Sequence, residues 1–104
     1  MLVELGALLG FRDDGRVYDL VQICGDSMLG AGILDGDYAL ADPCREAVDQ
    51  DIVLAYVEGK PTVKRLRILD GRMVLVPENP DYLPMMGESI EIAAVVTSTM
   101  RIHC

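Results

Sequence analysis

Ser27 and Lys64 are the two residues of this chain whose settings best suit nucleophilic chemistry. A serine hydroxyl is a poor nucleophile until a base takes its proton. Histidine is the usual base, but the chain has a single one, His103, next to the last residue. Chain ends fray, so neither a Ser-His-Asp triad nor a Cys-His pair is expected to be built on it. Lysine can be the base if burial drives out its charge. Of the two lysines, Lys60 lies in Glu58-Gly59-Lys60-Pro61, a turn in which it should stay solvated and charged. Lys64 lies in Thr62-Val63-Lys64-Arg65-Leu66-Arg67-Ile68. Strand alternation puts Thr62, Lys64, Leu66 and Ile68 on one face, with Val63, Arg65 and Arg67 on the other. Aliphatic neighbours would lower the lysine's pKa from its reference of about 10.4. The same pattern also fits an exposed edge-strand lysine that discourages aggregation.

The serine sits in Gly25-Asp26-Ser27-Met28, after a β-type run and before Gly30-Ala31-Gly32. A glycine ahead of a nucleophile lets backbone and substrate approach closely. Backbone N–H groups in such a turn can converge on a developing oxyanion. Gly-Asp-Ser is also ordinary turn chemistry. The pair Asp35 and Asp37 reads as turn chemistry on a solvated face, Met85-Met86 as packing, and Tyr82 as packing at one end of the fold.

The elements that must position these residues are short. Turn signals recur at Asp13-Asp14-Gly15, Asp35-Gly36, Asp42-Pro43, Glu58-Gly59, Asp70-Gly71, Asn79-Pro80 and Gly87. Between them lie β-type runs at Val17 to Cys24, Asp37 to Ala41, Ile52 to Val57, Thr62 to Leu69 and Met73 to Val76, with a last run from Ile90 to Val96 or on to Ile102. Ile52 to Val57 is almost continuously apolar, as in a strand covered on both faces. It forms a hairpin with Thr62 to Leu69, and Asp70-Gly71 favours a tight turn into the next run. No segment sustains a helical period, and a single turn after Ser27 is the best candidate for helix. The pattern predicts a mostly β domain, a small folded sheet or barrel. Residues 1–104 read as one domain, with 1–16 a lead-in and 17–104 the core.

Composition narrows the function. Hydrophobic residues make up 51% of the 104, with one Phe, four Tyr and no Trp, so the core is aliphatic. A net charge of −8 argues against a nucleic-acid binder, whose affinity comes from neutralising phosphates. It equally disfavours an anionic membrane surface. Leu2 to Leu9 is too short to span a bilayer and has no basic flank; it reads as a terminal strand or short helix. Three cysteines (Cys24, Cys44, Cys104) without a CxxC pair, and one histidine, give no metal site; free thiols fit a reducing cytoplasm. No phosphate loop or other cofactor signature is present.

Taken together, several blocks resemble the self-cleaving peptidase domain of the LexA and UmuD proteins. Gly25-Asp26-Ser27-Met28, Ala31-Gly32-Ile33 and Asp35-Gly36-Asp37 are similar to that family's nucleophile segment. Asp51-Ile52-Val53-Leu54-Ala55 with Thr62-Val63-Lys64-Arg65-Leu66 resembles its lysine segment, and Val76-Pro77-Glu78-Asn79-Pro80-Asp81-Tyr82 with Pro84 the stretch that follows. The separation from 27 to 64, 37 positions, matches as well. The resemblance implies a serine endopeptidase of the autoproteolytic type, with Ser27 as nucleophile and Lys64 as general base. It also implies an oxyanion hole from the backbone of Asp26 and Ser27, and a turn shaped by Gly25 and Met28.

The resemblance further implies a cytoplasmic homodimer acting in the SOS response to DNA damage. Its trigger would be a RecA filament, and its partner a repressor or a DNA polymerase. Two departures bear on this. No helix-turn-helix segment precedes the domain, and no Ala-Gly or Cys-Gly dipeptide lies far enough upstream of Ser27 to be cut in cis. Cys24-Gly25 is too close to fold back without strain. The expectation is therefore a processed product, an excised domain or a stand-alone relative. The alternative is a non-catalytic, UmuD-like dimeric module that docks on a polymerase or repressor.

Overall fold

A computed structural model describes residues 2–4, 11–13, 16–87 and 89–102. His103 and the turn residues Asp14 and Gly15 lie outside them. The chain folds into strands β1 (Leu2–Glu4), β2 (Phe11–Asp13), β3 (Arg16–Cys24), β4 (Tyr38–Asp42), β5 (Ile52–Val57), β6 (Lys60–Leu69), β7 (Arg72–Val76), β8 (Met85–Met86) and β9 (Ile90–Met100). Among the described residues the only helix is one 3-10 turn, Leu29–Ala31, just after Ser27. The expected mostly β architecture is the one observed.

The strands form one sheet in the order β1-β3-β4-β9-β5-β6-β7-β8, with β2 also pairing β3. Each pairing is antiparallel. Two hairpins follow directly from turn residues. Val57 pairs with Lys60 across Glu58 and Gly59, both at positive φ, and Leu69 pairs with Arg72 across Asp70 and Gly71, also both positive. Two-residue turns of this kind match the right-handed twist of the strands they join.

β9 lies at the centre of the sheet and bends it. Its register shifts once against β4, between Leu40 and Ala41, and once against β5, between Leu54 and Ala55. Each shift leaves one extra β9 residue, Thr97 and Ala93 respectively, and such bulges raise local twist. The sheet curls into a half-barrel and buries apolar residues in two clusters. One gathers Val21, Ile23, Met28, Ile33, Ala39, Ala41, Leu54, Val63 and Ala94. The other gathers Val53, Ala55, Leu66, Leu75 and Ile90. Leu54 and Val63 pair across β5 and β6 in the first, while Val53 and Leu66 belong to the second. The central hairpin is thus covered on both sides, which explains why Ile52 to Val57 is apolar throughout.

Candidate functional site

β3 ends at Cys24 and the chain turns at Gly25, whose φ of +98° is left-handed and favours glycine. Asp35 Oδ1 accepts the Gly25 N–H at 2.7 Å, which fastens the start of the turn. Met28 anchors its far side. Its side chain is fully buried in the first cluster, and its carbonyl accepts from Ala31 N (3.0 Å) and Ile33 N (3.3 Å).

Between these anchors, Ser27 is fully buried, and among the described residues its Oγ has no hydrogen-bond partner. Buried hydroxyls are normally satisfied. The backbone N–H groups of Asp26, Ser27 and Met28 likewise donate to none of the described residues, whereas those of Gly25 and Leu29 on either side do.

Lys64 is 1% exposed in the middle of β6, opposite Val53. Burial holds its amine below the usual lysine range, because the charged form loses its water. Its Nζ donates to Thr62 Oγ1 at 2.7 Å. The alternation read from the sequence holds for Thr62, Lys64 and Leu66, all buried. Ile68 is 40% exposed, beyond the covered part of the strand, while Val63 lies on the opposite face, as the alternation has it, and is buried there. Arg65 and Arg67 reach solvent on that face and pair with Glu78 (2.7 Å) and Asp49 (3.0 Å).

The serine and the lysine are not hydrogen-bonded to each other. Their segments are held by one loop, residues 78–82. Glu78 accepts from Arg65 Nε through its side chain and from Gly30 N, at 2.6 Å, through its carbonyl. Asn79 Nδ2 donates to Asp26 O at 2.9 Å, and Tyr82 O–H to Asp26 Oδ1 at 2.5 Å. That bond keeps the Tyr82 phenol protonated above its usual range, since the carboxylate accepts its proton. The sequence pattern marks Tyr82 as packing, Asn79-Pro80 as a turn and Thr62 as a face-mate of Lys64, and assigns no bonding role to Asn79, Glu78 or Thr62. Their partners lie too far away in the chain, or across a strand face, to be seen in a local pattern.

Asp37 differs from the expectation of a solvated face. It is 2% exposed, accepts from Leu34 N at 2.8 Å, and pairs with Arg101 at 2.8 Å. Asp35 is exposed but serves the Gly25 turn, so the two acids have different tasks. Among the described residues no cluster of three or more His, Cys, Asp or Glu is placed to hold a metal, and no helix is long and apolar enough to cross a membrane. Cys24 is partly buried and Cys44 exposed; neither is in a disulfide.

In chemical terms, the arrangement offers an amine kept toward its neutral form by burial and a buried hydroxyl not engaged elsewhere. Three backbone N–H groups flank that hydroxyl, all within a curled antiparallel sheet. A family model described as Peptidase S24-like matches residues 8–97. This places the domain in the serine peptidase class. The chain belongs to the Peptidase S24-like family. It is similar to LexA repressors: 38% identical over 82 residues to that of Frankia alni, covering 79% of this chain and 32% of the relative. Against the LexA repressor of a Nocardioides species the identity is 39% over 88 residues, covering 85% and 35%. Against that of Clostridium perfringens it is 37% over 84 residues, covering 81% and 41%. The chain thus spans roughly a third to two-fifths of the length of these relatives.

Proposed function

We propose that this chain is the catalytic part of an autoproteolytic serine peptidase of the LexA/UmuD type, with Ser27 as nucleophile and Lys64 as general base. The observation that carries the reading is Lys64: a 1% exposed amine whose pKa burial lowers, bonded to a neutral hydroxyl. A charged lysine cannot take a proton, and burial favours the neutral form that can. The free hydroxyl of Ser27 and the unengaged N–H groups beside it add support.

In this reading Lys64 Nζ turns from Thr62 Oγ1 to Ser27 Oγ when an extended peptide binds. Ser27 Oγ attacks the scissile carbonyl carbon as its proton passes to Nζ. The oxyanion is met by the N–H groups of Asp26 and Ser27. Lys64 then gives the proton to the leaving amine as the C–N bond breaks, and water releases the acyl group by the reverse path. Thr62 is a positioning residue that holds Nζ in the buried strand. Gly25 and Met28 shape the turn.

The wider assignment follows from likeness to LexA repressors. It comprises a cytoplasmic homodimer in the SOS response to DNA damage, triggered by a RecA filament and working with a repressor or polymerase partner. Residues 1–104 act as one domain in it, with 1–16 leading into the core at 17–104. A second reading, a dimeric interaction module without catalysis, draws on one observation: Lys64 Nζ is engaged with Thr62 rather than Ser27.

The test is cleavage in trans. The protein is mixed with an extended apolar peptide containing Ala-Gly or Cys-Gly at neutral and alkaline pH, and mass spectrometry follows the products. The lowered pKa of Lys64 sets the direction, because the neutral, basic fraction grows as pH rises through it. Cutting that rises with pH and is abolished by Ser27→Ala and Lys64→Ala is expected. A folded protein that never cuts favours the interaction module, and a rate flat from neutral to alkaline pH counts against Lys64 as the base.

A further inference from the structure

The segment 25–28 is held by no strand ladder, yet the direction of its N–H groups decides whether they can meet an oxyanion. One peptide unit links Asp26 C=O to Ser27 N–H, and among the described residues no peptide bond is cis. In a planar trans peptide the carbonyl and the N–H point in opposite directions. Whatever fixes the Asp26 oxygen therefore also fixes the Ser27 N–H. Two donors hold that oxygen: Leu29 N, at 3.2 Å, and Asn79 Nδ2, at 2.9 Å.

Asn79 is itself locked in place. Its Oδ1 accepts from Asp81 N at 3.0 Å and its carbonyl from Tyr82 N at 3.1 Å, so its side chain closes its own turn. Tyr82 then reaches back to Asp26 Oδ1, giving the Asp26 residue a second tether to the same loop. Hydrogen bonds in series also polarise one another, so a donor on the carbonyl makes the N–H at the other end of the peptide a stronger donor.

We propose that Asn79, braced by Tyr82, is a positioning residue that aims the Ser27 N–H at the oxyanion of the tetrahedral intermediate. The inference rests on the peptidase reading above and adds a residue 53 positions away from Asp26 to it. Asn79 makes no hydrogen bond to Ser27 Oγ or Lys64 Nζ, so its effect on the chemistry passes through the Asp26–Ser27 peptide.

The experiment uses the trans-cleavage assay on the full chain with Asn79→Ala, Asn79→Asp and Tyr82→Phe. Asn79→Asp is the discriminating variant. It keeps the acceptor for Asp81 N, and hence the turn, but presents an oxygen to the Asp26 carbonyl in place of a donor. Deleting an oxyanion-hole donor outright costs about 100- to 1,000-fold in kcat. Misaiming one is expected to cost about 10- to 100-fold for both Asn79 variants, less for Tyr82→Phe, with KM little changed. The pH at which the rate rises should stay put in Asn79→Ala, because Lys64 is undisturbed. A merely structural loop would instead give an Asn79→Asp variant that cuts like wild type, or losses that track lowered stability or raised KM; either overturns the proposal. A wild-type protein without Ser27-dependent cutting overturns the peptidase reading, and this proposal with it. An active wild type with unimpaired Asn79 variants overturns the positioning role alone.

Discussion

Gly30→Ala tests how tightly the loop after β7 grips the serine turn. Gly30 N donates to Glu78 O at 2.6 Å. A Cβ on Gly30 would lie 2.7 Å from that same oxygen and 3.4 Å from its carbonyl carbon. Ordinary contact begins near 3.4 Å, so the Glu78 carbonyl must retreat by roughly 0.7 Å, and it is backbone rather than a yielding side-chain tip. Overpacking of this kind costs about 1–3 kcal/mol, and weakening the hydrogen bond adds about 0.5–1.5. Against this, Gly30 is not in the left-handed region, so alanine gains about 0.4–1 kcal/mol by restricting the unfolded chain. The net expectation is a loss of about 1–3 kcal/mol, read as a urea midpoint lowered by about 1 M. Gly32→Ala is the control. Its φ of +80° strains alanine by about 1–2 kcal/mol, but no atom lies within 4 Å of the added Cβ. Both variants should lose stability, while only Gly30→Ala should speed hydrogen exchange at position 30 and depress peptide cutting beyond what stability explains. A Gly30→Ala protein as stable as wild type would refute the close approach and the clamp argued from it.

Two further substitutions probe the buried polar pair through stability. Lys64→Met should stabilise the fold by about 1–2 kcal/mol at neutral pH in urea titrations, because it removes a buried amine at similar volume. In wild type the folded pKa lies below the unfolded one near 10.5, so stability should climb with pH across that window, and Lys64→Met should flatten the climb; equal slopes would show that Lys64 titrates normally. Ser27→Ala removes a buried hydroxyl that has no partner among the described residues, and should raise stability by about 0.5–2 kcal/mol. A loss of stability would mean that the hydroxyl is bonded in solution.

The parts of the fold legible in the sequence are those set by neighbours along the chain. Glu58-Gly59 and Asp70-Gly71 specify two-residue turns, so the β5-β6-β7 meander could be read in order and nearly to its ends. Alternation puts Lys64 on one face with Leu66 but leaves an exposed edge-strand lysine open, and a single turn after Ser27 is the best candidate for helix; the structure buries the lysine and forms the turn. β2 and β8 leave no readable pattern, and β1 reads only as a terminal strand or short helix, since two or three residues cannot establish a period and their pairing is decided by distant partners. Asp37 was unreadable for the same reason. Its guanidinium partner, Arg101, lies 64 positions away, and a short acidic turn looks solvated until that partner arrives.

The site shows this division most clearly. Ser27 and Lys64 stand in local motifs, but the contacts that hold their segments come from elsewhere: Glu78 and Asn79 follow β7, Tyr82 precedes β8, and Arg65 crosses from β6. A buried lysine and an unsatisfied buried hydroxyl both work against folding. A fold that buries both must compensate by tying the surrounding backbone down. The loop at 78–82 does so at three points, Gly30 N, Asp26 O and Asp26 Oδ1, while leaving Ser27 Oγ and its flanking N–H groups open. Rigid backbone around unspent donors is what a preorganised oxyanion site requires, because the donors then need no reorganisation when charge develops. An ordinary turn would gain stability by satisfying those same groups. That they stay open within an otherwise well-bonded segment is the physical reason to look for function at Ser27 rather than at the more exposed polar residues of the chain.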